Sequence, residues 1–468
     1  MNMLTKLLGK SKPSADPDGN GLDTTFDQIR QKDFKRLDTH GHVYLDYTGG
    51  GLYAATQLEK HHDLLKNEVF GNPHSSNPTS QNATYLVDDA RQKVLDFFNT
   101  ADDYYCIFTA NASGALKIVG ECYPFCEKGQ LVLFADNHNS VNGIREFCRK
   151  GGAAFEYIPI HYEDLRVDRI ALEKALKSYE DKGNKLFAFP AQSNVSGVKH
   201  DLGWIKKAKD KGWDVLLDAA AFVPTNKLDL STVKPDFVCV SFYKIFGYPT
   251  GLGCLLVRKS AFHKLQKPWF AGGTVSLASV RSADFFLTDS HERFEDGTIN
   301  YLDIPAVKIG LDYIDSIGIE KINEKVMRYT VIMLEGLKKI KHSNDEHVIK
   351  IFGPNNSEER GSNIILNIFA PNGEVIPFEQ VEKEANERKI SLRSGCFCNP
   401  GIDEINNCIT TEELAQYFSS RDRGDYYDMM SALGKMRGAI RISIGYPTNQ
   451  SDIDRFLSFI ETFKDRIL

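Results

Sequence analysis

Seven short apolar runs recur between residues 105 and 259, and stretches of helical periodicity separate most of them. They are YCIFTA (105–110), QLVLFAD (130–136), AFEYIPI (154–160), KLFAFPA (185–191), WDVLLDA (213–219), DFVCVSF (236–242) and GCLLVRK (253–259). Between them lie helical patterns such as ALEKALKSYEDK (171–182) and LGWIKKAKDKG (202–212). Strands that alternate with helices in this way imply an α/β fold: a mostly parallel sheet covered by helices on both faces. Ligands of such sheets sit beyond the carboxyl ends of the strands, so the residues that follow each run carry the functional interest.

From about Tyr301 the texture changes. LDIPAVKIGLDYIDSIGIEKINEKVMRYTVIMLEGLKKI reads as one long helical pattern. SNIILNIFA reads as a strand, EQVEKEANER as a helix, KISLRSG and AIRISIGYP as strands, and a last helix follows. The expectation is a large domain mainly over residues 36–310 and a smaller α+β domain over 311–468. Residues 1–35 are expected to form a flexible N-terminal extension. Their apolar run is too short and broken for a secretory signal, and a solvated tail is preferred to an organellar targeting segment.

Composition removes several function classes. The formal charge is −6 and no basic stripe suggests nucleic acid. No apolar run approaches a membrane span. The nine cysteines are odd in number and scattered, which does not describe a secreted disulfide framework. A reducing, cytoplasmic compartment is expected, with most thiols buried.

Asp218 closes one predicted strand and Lys244 follows the next. A lysine there can form an imine with an aldehyde cofactor, while the carboxylate keeps a pyridine nitrogen protonated. The plainer alternative is a strand-end salt bridge and a surface lysine. IFGYPTGLG after Lys244 is a glycine-rich turn able to curl round a ligand. Residues 108–114 join a strand to a helix starting near Ala115, with small residues that leave backbone N–H groups for an anion; an ordinary N-cap by Ser113 is the alternative. His138 could stack on a flat cofactor or be a hydrogen-bonded structural residue. Asn194 could reach a cofactor oxygen or simply make a turn. Cys396 and Cys398 stand one residue apart in RSGCFCNPG (393–401). A metal site would need a further cysteine–histidine cluster, which the sequence lacks, and a disulfide over that spacing is strained.

The order of NPHS (72–75), TANASG, FADNH, FPAQSNVSG, VLLDAA, SFYKIFGYPTGLG, RFEDGT (293–298), RSGCFCNPG and IRISIGYPT resembles the class V aminotransferase superfamily. Within it the chain is most similar to the desulfurase domain of molybdenum-cofactor sulfurases, and more distantly to cysteine desulfurases, from about Tyr44 onward. The resemblance implies pyridoxal 5′-phosphate (PLP) fold type I, with a mostly parallel mixed sheet in the large domain, a homodimer, and L-cysteine as sulfur donor. It implies Lys244 as the cofactor lysine, Asp218 as the pyridine-nitrogen partner, His138 stacked on the ring and Asn194 on its oxygen. Ser241, Tyr243 and the N–H groups of Asn111 and Ala112 would hold the phosphate, with Thr274 reaching the neighbouring subunit's phosphate. Arg441 would bind the substrate carboxylate, with Arg393 close by. Cys398 falls where the relatives place their sulfur-accepting nucleophile, on a loop expected to be mobile. Cys396 is read as buried or supporting.

Three departures accompany the resemblance. Ala221 stands where relatives often carry a polar side chain. The further cysteine that usually follows NPG soon comes here only at Cys408. The chain is expected to end before the molybdenum-cofactor-binding domain of complete eukaryotic sulfurases. That leaves the sulfur acceptor unidentified, a molybdenum-cofactor protein being one candidate. Two other readings stay open: a β-lyase or epimerase on the same scaffold, without persulfide transfer, and a non-catalytic sulfur-carrier scaffold.

Overall fold

The computed structural model describes residues 20–178, 183–435 and 437–467. All seven predicted runs are strands: β1 (Tyr104–Thr109), β2 (Gln130–Phe134), β3 (Ala154–Ile158), β4 (Lys185–Pro190), β5 (Asp214–Asp218), β6 (Phe237–Ser241) and β7 (Gly253–Arg258). Among the described residues they form one seven-stranded sheet in the order β1-β7-β6-β5-β4-β2-β3. β2 through β6 pair in parallel, while β7 runs antiparallel to both of its neighbours. This is the mixed, mostly parallel sheet expected.

Why the runs are apolar at successive positions is visible in the packing. Val132, Phe134, Phe187 and Phe189 belong to the core on one face, and Leu131, Leu133, Leu186 and Ala188 to the core on the other. Side chains alternate across a strand, so a strand buried on both faces has no polar positions to offer. Phe187 and Phe189 stack with centroids 4.8 Å apart. The helix predicted over 171–182 spans Arg169–Ser178, and positions 179–182 lie outside the described residues.

A second sheet is antiparallel: β8 (Ile349–Phe352), β9 (Asn363–Ile368), β10 (Arg393–Gly395) and β11 (Ala439–Ser443), in the order β8-β9-β11-β10. The long helical run of residues 302–340 divides into Ile304–Ile317 and Ile319–Lys339. Gly318 lies between them at φ 93°, a left-handed backbone that glycine adopts without a Cβ penalty. Three helices unread in the sequence, Pro400–Asn406, Thr411–Ser419 and Tyr426–Leu433, follow the cysteine pair. Each is capped by its own side chain, from Asn399, Thr410 and Asp425.

The N-terminal segment departs most from expectation. Residues 1–19 lie outside the described residues. Asn20–Asp33, placed in the flexible extension by the sequence reading, is a packed helix. Phe26 and Phe34 are buried, and Asp23 pairs with Lys325 and Arg328. The buried Arg30 donates to Asp452 at 2.5 Å and to Pro447 O at 2.7 Å. From residue 36 onward the chain was assigned to the large domain, yet Val43–Tyr44 pairs with Ile390–Ser391, and Asp46 bridges to Ser443. The segment thus completes the C-terminal unit. Local periodicity could not reveal this, because its partners lie hundreds of residues away.

Arg30→Ala leaves Asp452 as a buried carboxylate without its cation. The expected loss is about 3–5 kcal/mol of folding stability, read from the urea unfolding midpoint.

Candidate active site

Parallel strands end together, so the turns after them converge on one edge of the sheet. Two adjoining cavities of about 150 and 160 Å³ open there. The inner one is lined by Asn111, Ala112, Asp218, Ser241 and, with their neighbours, His138, Tyr243 and Lys244. The outer one shares His138, Tyr243 and Lys244, and adds Asn194, Arg393, Cys398 and Arg441. Every sequence-predicted site residue but Thr274 therefore faces one of the two. Thr274 is fully buried elsewhere, and its hydroxyl accepts from the Ala271 N–H at 2.9 Å.

The inner cavity has a helix N-terminus at one end. The helix begins at Ala112 rather than near Ala115, and its cap is Asn111 rather than Ser113, with Asn111 Oδ1 accepting from Gly114 N–H at 3.0 Å. The Ala112 N–H donates to Ser241 Oγ at 2.9 Å. At the other end Asp218 Oδ1 accepts from Ala220 N–H at 3.0 Å and from the Cys239 thiol at 3.5 Å. Burial pushes the Lys244 amine below its ordinary pKa, and the nearby Asp218 carboxylate opposes that shift. Burial likewise lowers the His138 imidazole, again against Asp218. The ring's Nδ1 accepts from Ser140 N–H at 3.1 Å, so the orientation of this histidine is set by its own turn.

Behind the two arginines of the outer cavity stands a carboxylate the sequence reading missed. Asp46 takes Arg393 Nε at 2.9 Å and Nη2 at 2.6 Å, and Arg441 Nη2 at 2.8 Å. Arg441 also donates from Nη1 to Asn194 O at 2.8 Å. Its Nε is buried and, among the described residues, has no partner. A guanidinium that lines a cavity and is not fully hydrogen-bonded is suited to an anionic ligand. Arg393 is half exposed, and its hydrogen bond to Asp46 raises its pKa. Arg441 is buried, which lowers its pKa against the pull of Asp46. An acidic residue directly before the YTGGG turn was the available signal for Asp46.

Cys398 is exposed, but its loop is not slack. Phe397 and Cys398 both have left-handed backbones, φ 56° and 53°. Such a conformation costs a non-glycine residue roughly 1–2 kcal/mol. Contacts on both sides hold it. Asn194 Nδ2 donates to Phe397 O at 2.8 Å, and Asn139 N–H to Cys398 O at 2.7 Å. The Arg441 guanidinium lies 5.1 Å from the Phe397 ring. Next along the chain, the fully buried Asn399 donates to Asp136 Oδ1 at 2.7 Å and to Asn194 Oδ1 at 3.1 Å. Asp136 also takes the Ser193 hydroxyl at 2.8 Å. A Cβ on Gly401 would sit 2.1 Å from Ala135 O, so glycine permits this close approach. The expected mobile loop is thus pinned, with only its thiol-bearing tip presented. Cys396 is half-buried, and burial raises its pKa.

The family model for class-V aminotransferases matches residues 43–456. The molybdenum cofactor sulfurase of Arabidopsis thaliana is 36% identical over 95% of this chain and 58% of its own length. That of Homo sapiens is 36% identical over 92% of this chain and 51% of its own length. The chain thus spans little more than half of these relatives. Among solved structures, the apo cysteine desulfurase of Thermococcus onnurineus NA1 superposes with a TM-score of 0.77 at 24% identity, covering 93% of this chain and 97% of that one. The cysteine desulfurase CsdA of Escherichia coli superposes with a TM-score of 0.74 at 18% identity, covering 93% and 98%.

Two outcomes follow from this geometry. Asn399→Ala removes a helix cap and the tie to Asp136. It should cost about 1–3 kcal/mol and speed alkylation of Cys398 by iodoacetamide. The His138 ring should titrate below its ordinary 6.5 in NMR. Because the folded ring binds its proton less readily than the unfolded chain does, His138 makes stability fall as pH drops below 6.5 until the depressed folded value is passed. His138→Asn should flatten that slope in urea titrations repeated across the range.

Proposed function

The chain belongs to the class-V aminotransferase family, and on that premise we propose that it is a PLP-dependent cysteine desulfurase. It forms a persulfide on Cys398 and releases L-alanine. The observation that carries the reading is the shared cavity of Lys244, Arg441, Arg393, Asn194, His138 and Cys398, which adjoins the cavity holding Asp218. These residues fit the cofactor: a lysine of lowered pKa, a strand-end carboxylate, a capped helix N-terminus and an unpartnered arginine N–H.

PLP, when bound, supplies an electron sink that loosens bonds at and next to the α-carbon of an amino acid. Lys244 would hold the cofactor by its aldehyde carbon, and, once the substrate amine has displaced it there, its free amine would move the α-proton. Asp218 would keep a proton on the pyridine nitrogen, and His138 would lie against the ring. Ser241, Tyr243 and the Asn111–Ala112 turn would take the phosphate. Arg441, with Arg393 beside it, binds the substrate carboxylate. The Cys398 thiolate attacks the substrate sulfur. An S–S bond forms as the carbon–sulfur bond breaks, and the electron pair stays on carbon. A proton completes alanine, so no external oxidant or reductant is consumed. The pinned loop suits attack at a defined position, and the exposed thiol suits delivery of the sulfur.

The acceptor is proposed to be a molybdenum-cofactor protein, because the relatives that match most of this chain are named for that cofactor. A homodimer is proposed, although Thr274, expected to reach the neighbouring subunit, is buried within its own chain. Trp269, Phe270, Leu277, Val280 and Phe286 leave large apolar side chains exposed around that residue. A cytoplasmic setting is proposed from nine unpaired cysteines. Among the described residues no helix is long and apolar enough to cross a membrane.

Incubation of the PLP-loaded protein with L-cysteine should release alanine and add one sulfur to the peptide containing Cys398, seen by mass spectrometry. Cys398→Ser should keep the cofactor's absorbance and lose turnover; continued turnover would point instead to a lyase. Lys244→Ala should lower turnover by about 10²–10⁴-fold and abolish borohydride fixation of the cofactor.

A further inference from the structure

Two guanidiniums facing one small cavity would ordinarily suit a ligand with two negative charges. Asp46 changes that count. Its two oxygens are shared between Arg393 and Arg441, with contacts of 2.6 to 3.2 Å. Its side chain is only 10% exposed, so water does little to screen it. It stands behind the arginines rather than lining the cavity itself. The chain is shaped to allow this. A Cβ on Gly49 would lie 2.3 Å from Asp46 Oδ2 and 2.6 Å from Arg393 Nη2, so a side chain there would part the pair.

Asp218 and Lys244 belong to the cofactor's cavity, whereas Asp46, Arg393 and Arg441 form an ion-pair cluster of their own. Two cations and one anion therefore leave one net positive charge at the carboxylate end. A guanidinium has five N–H donors; in Arg441, Nη1 and Nη2 each spend one, on Asn194 O and Asp46, and the buried Nε has no partner among the described residues.

We propose that Asp46 is a specificity-determining positioning residue: by neutralising one of two guanidiniums, it matches the site to amino acids that carry a single carboxylate. A second acidic group, as in L-aspartate or a cysteine sulfinate, would meet no uncompensated cation and would lie near the Asp46 charge. The inference deepens the desulfurase reading, since cysteine is a monocarboxylate. Its test needs no turnover, so the two can fail separately.

The experiment titrates PLP-loaded protein with L-alanine and with L-aspartate. Binding is read as the change in cofactor absorption. Wild type should favour L-alanine. Asp46→Asn should narrow that preference about tenfold or more by strengthening L-aspartate. Asp46→Asn/Arg393→Gln restores one net positive charge and should restore the preference, an outcome that a merely structural role for Asp46 would not produce. Should Asp46→Asn not fold, Arg393→Gln alone, with no net charge, should widen the preference. An unchanged alanine-to-aspartate ratio in folded Asp46→Asn, or in Arg393→Gln, overturns the proposal. Absence of alanine release from L-cysteine, with the ratios shifting as stated, would overturn the desulfurase reading and leave the role of Asp46 standing.

Discussion

The carboxylate of Asp46 joins three segments that are far apart in the chain. It belongs to the N-terminal stretch, Arg393 to β10 and Arg441 to β11. A charge that is nearly out of water is tolerable only when it is paired and hydrogen-bonded. Once Asp46 and Arg441 are buried, each therefore dictates where the other must lie. The backbone adds its own constraint, because Asp46 bridges Ser443 and the Ser443 N–H donates to Leu45 O at 2.7 Å. The N-terminal stretch is thus held along the second sheet. That placement gives the outer cavity its floor and sets its two arginines side by side.

A second buried carboxylate gathers the other contacts of the cysteine loop. Asp136 follows β2 and gathers Ser193, His200 and Asn399. Asn399 in turn caps the helix after the cysteine loop and reaches Asn194. Asn194 holds Phe397 by its amide and Arg441 by its carbonyl. The loop carrying Cys398 is therefore held by contacts built around the two acids. This explains how two consecutive residues persist in a backbone conformation that isolated residues avoid. It also meets the two demands that the proposed sulfur transfer would place on Cys398. The main chain is fixed, which favours a repeatable line of attack, while the side chain stays open to a partner.

What the sequence determined by itself was whatever depends on near neighbours. Strand runs buried on both faces declare themselves through successive apolar residues. The turns after them could be read for chemistry because a strand's end is a local event: Asp218 and Lys244 are each visible within a few residues of their own strand. Glycine at 318 and the caps at Thr410 and Asp425 were local signals too. They were passed over because helical periodicity on either side of the glycine, and short helices after the cysteines, each leave a weak pattern. Tertiary structure alone decided the rest. That Asn20–Asp33 is a packed helix rather than a tail depends on Lys325, Arg328 and Asp452. That Asp46 commands two arginines, and that Asp136 meets Asn399, follows from pairings across hundreds of residues. Side-chain periodicity reports which face of an element is buried. It carries no record of which distant charge will be buried against it, because that choice is made only when the two sheets close on each other.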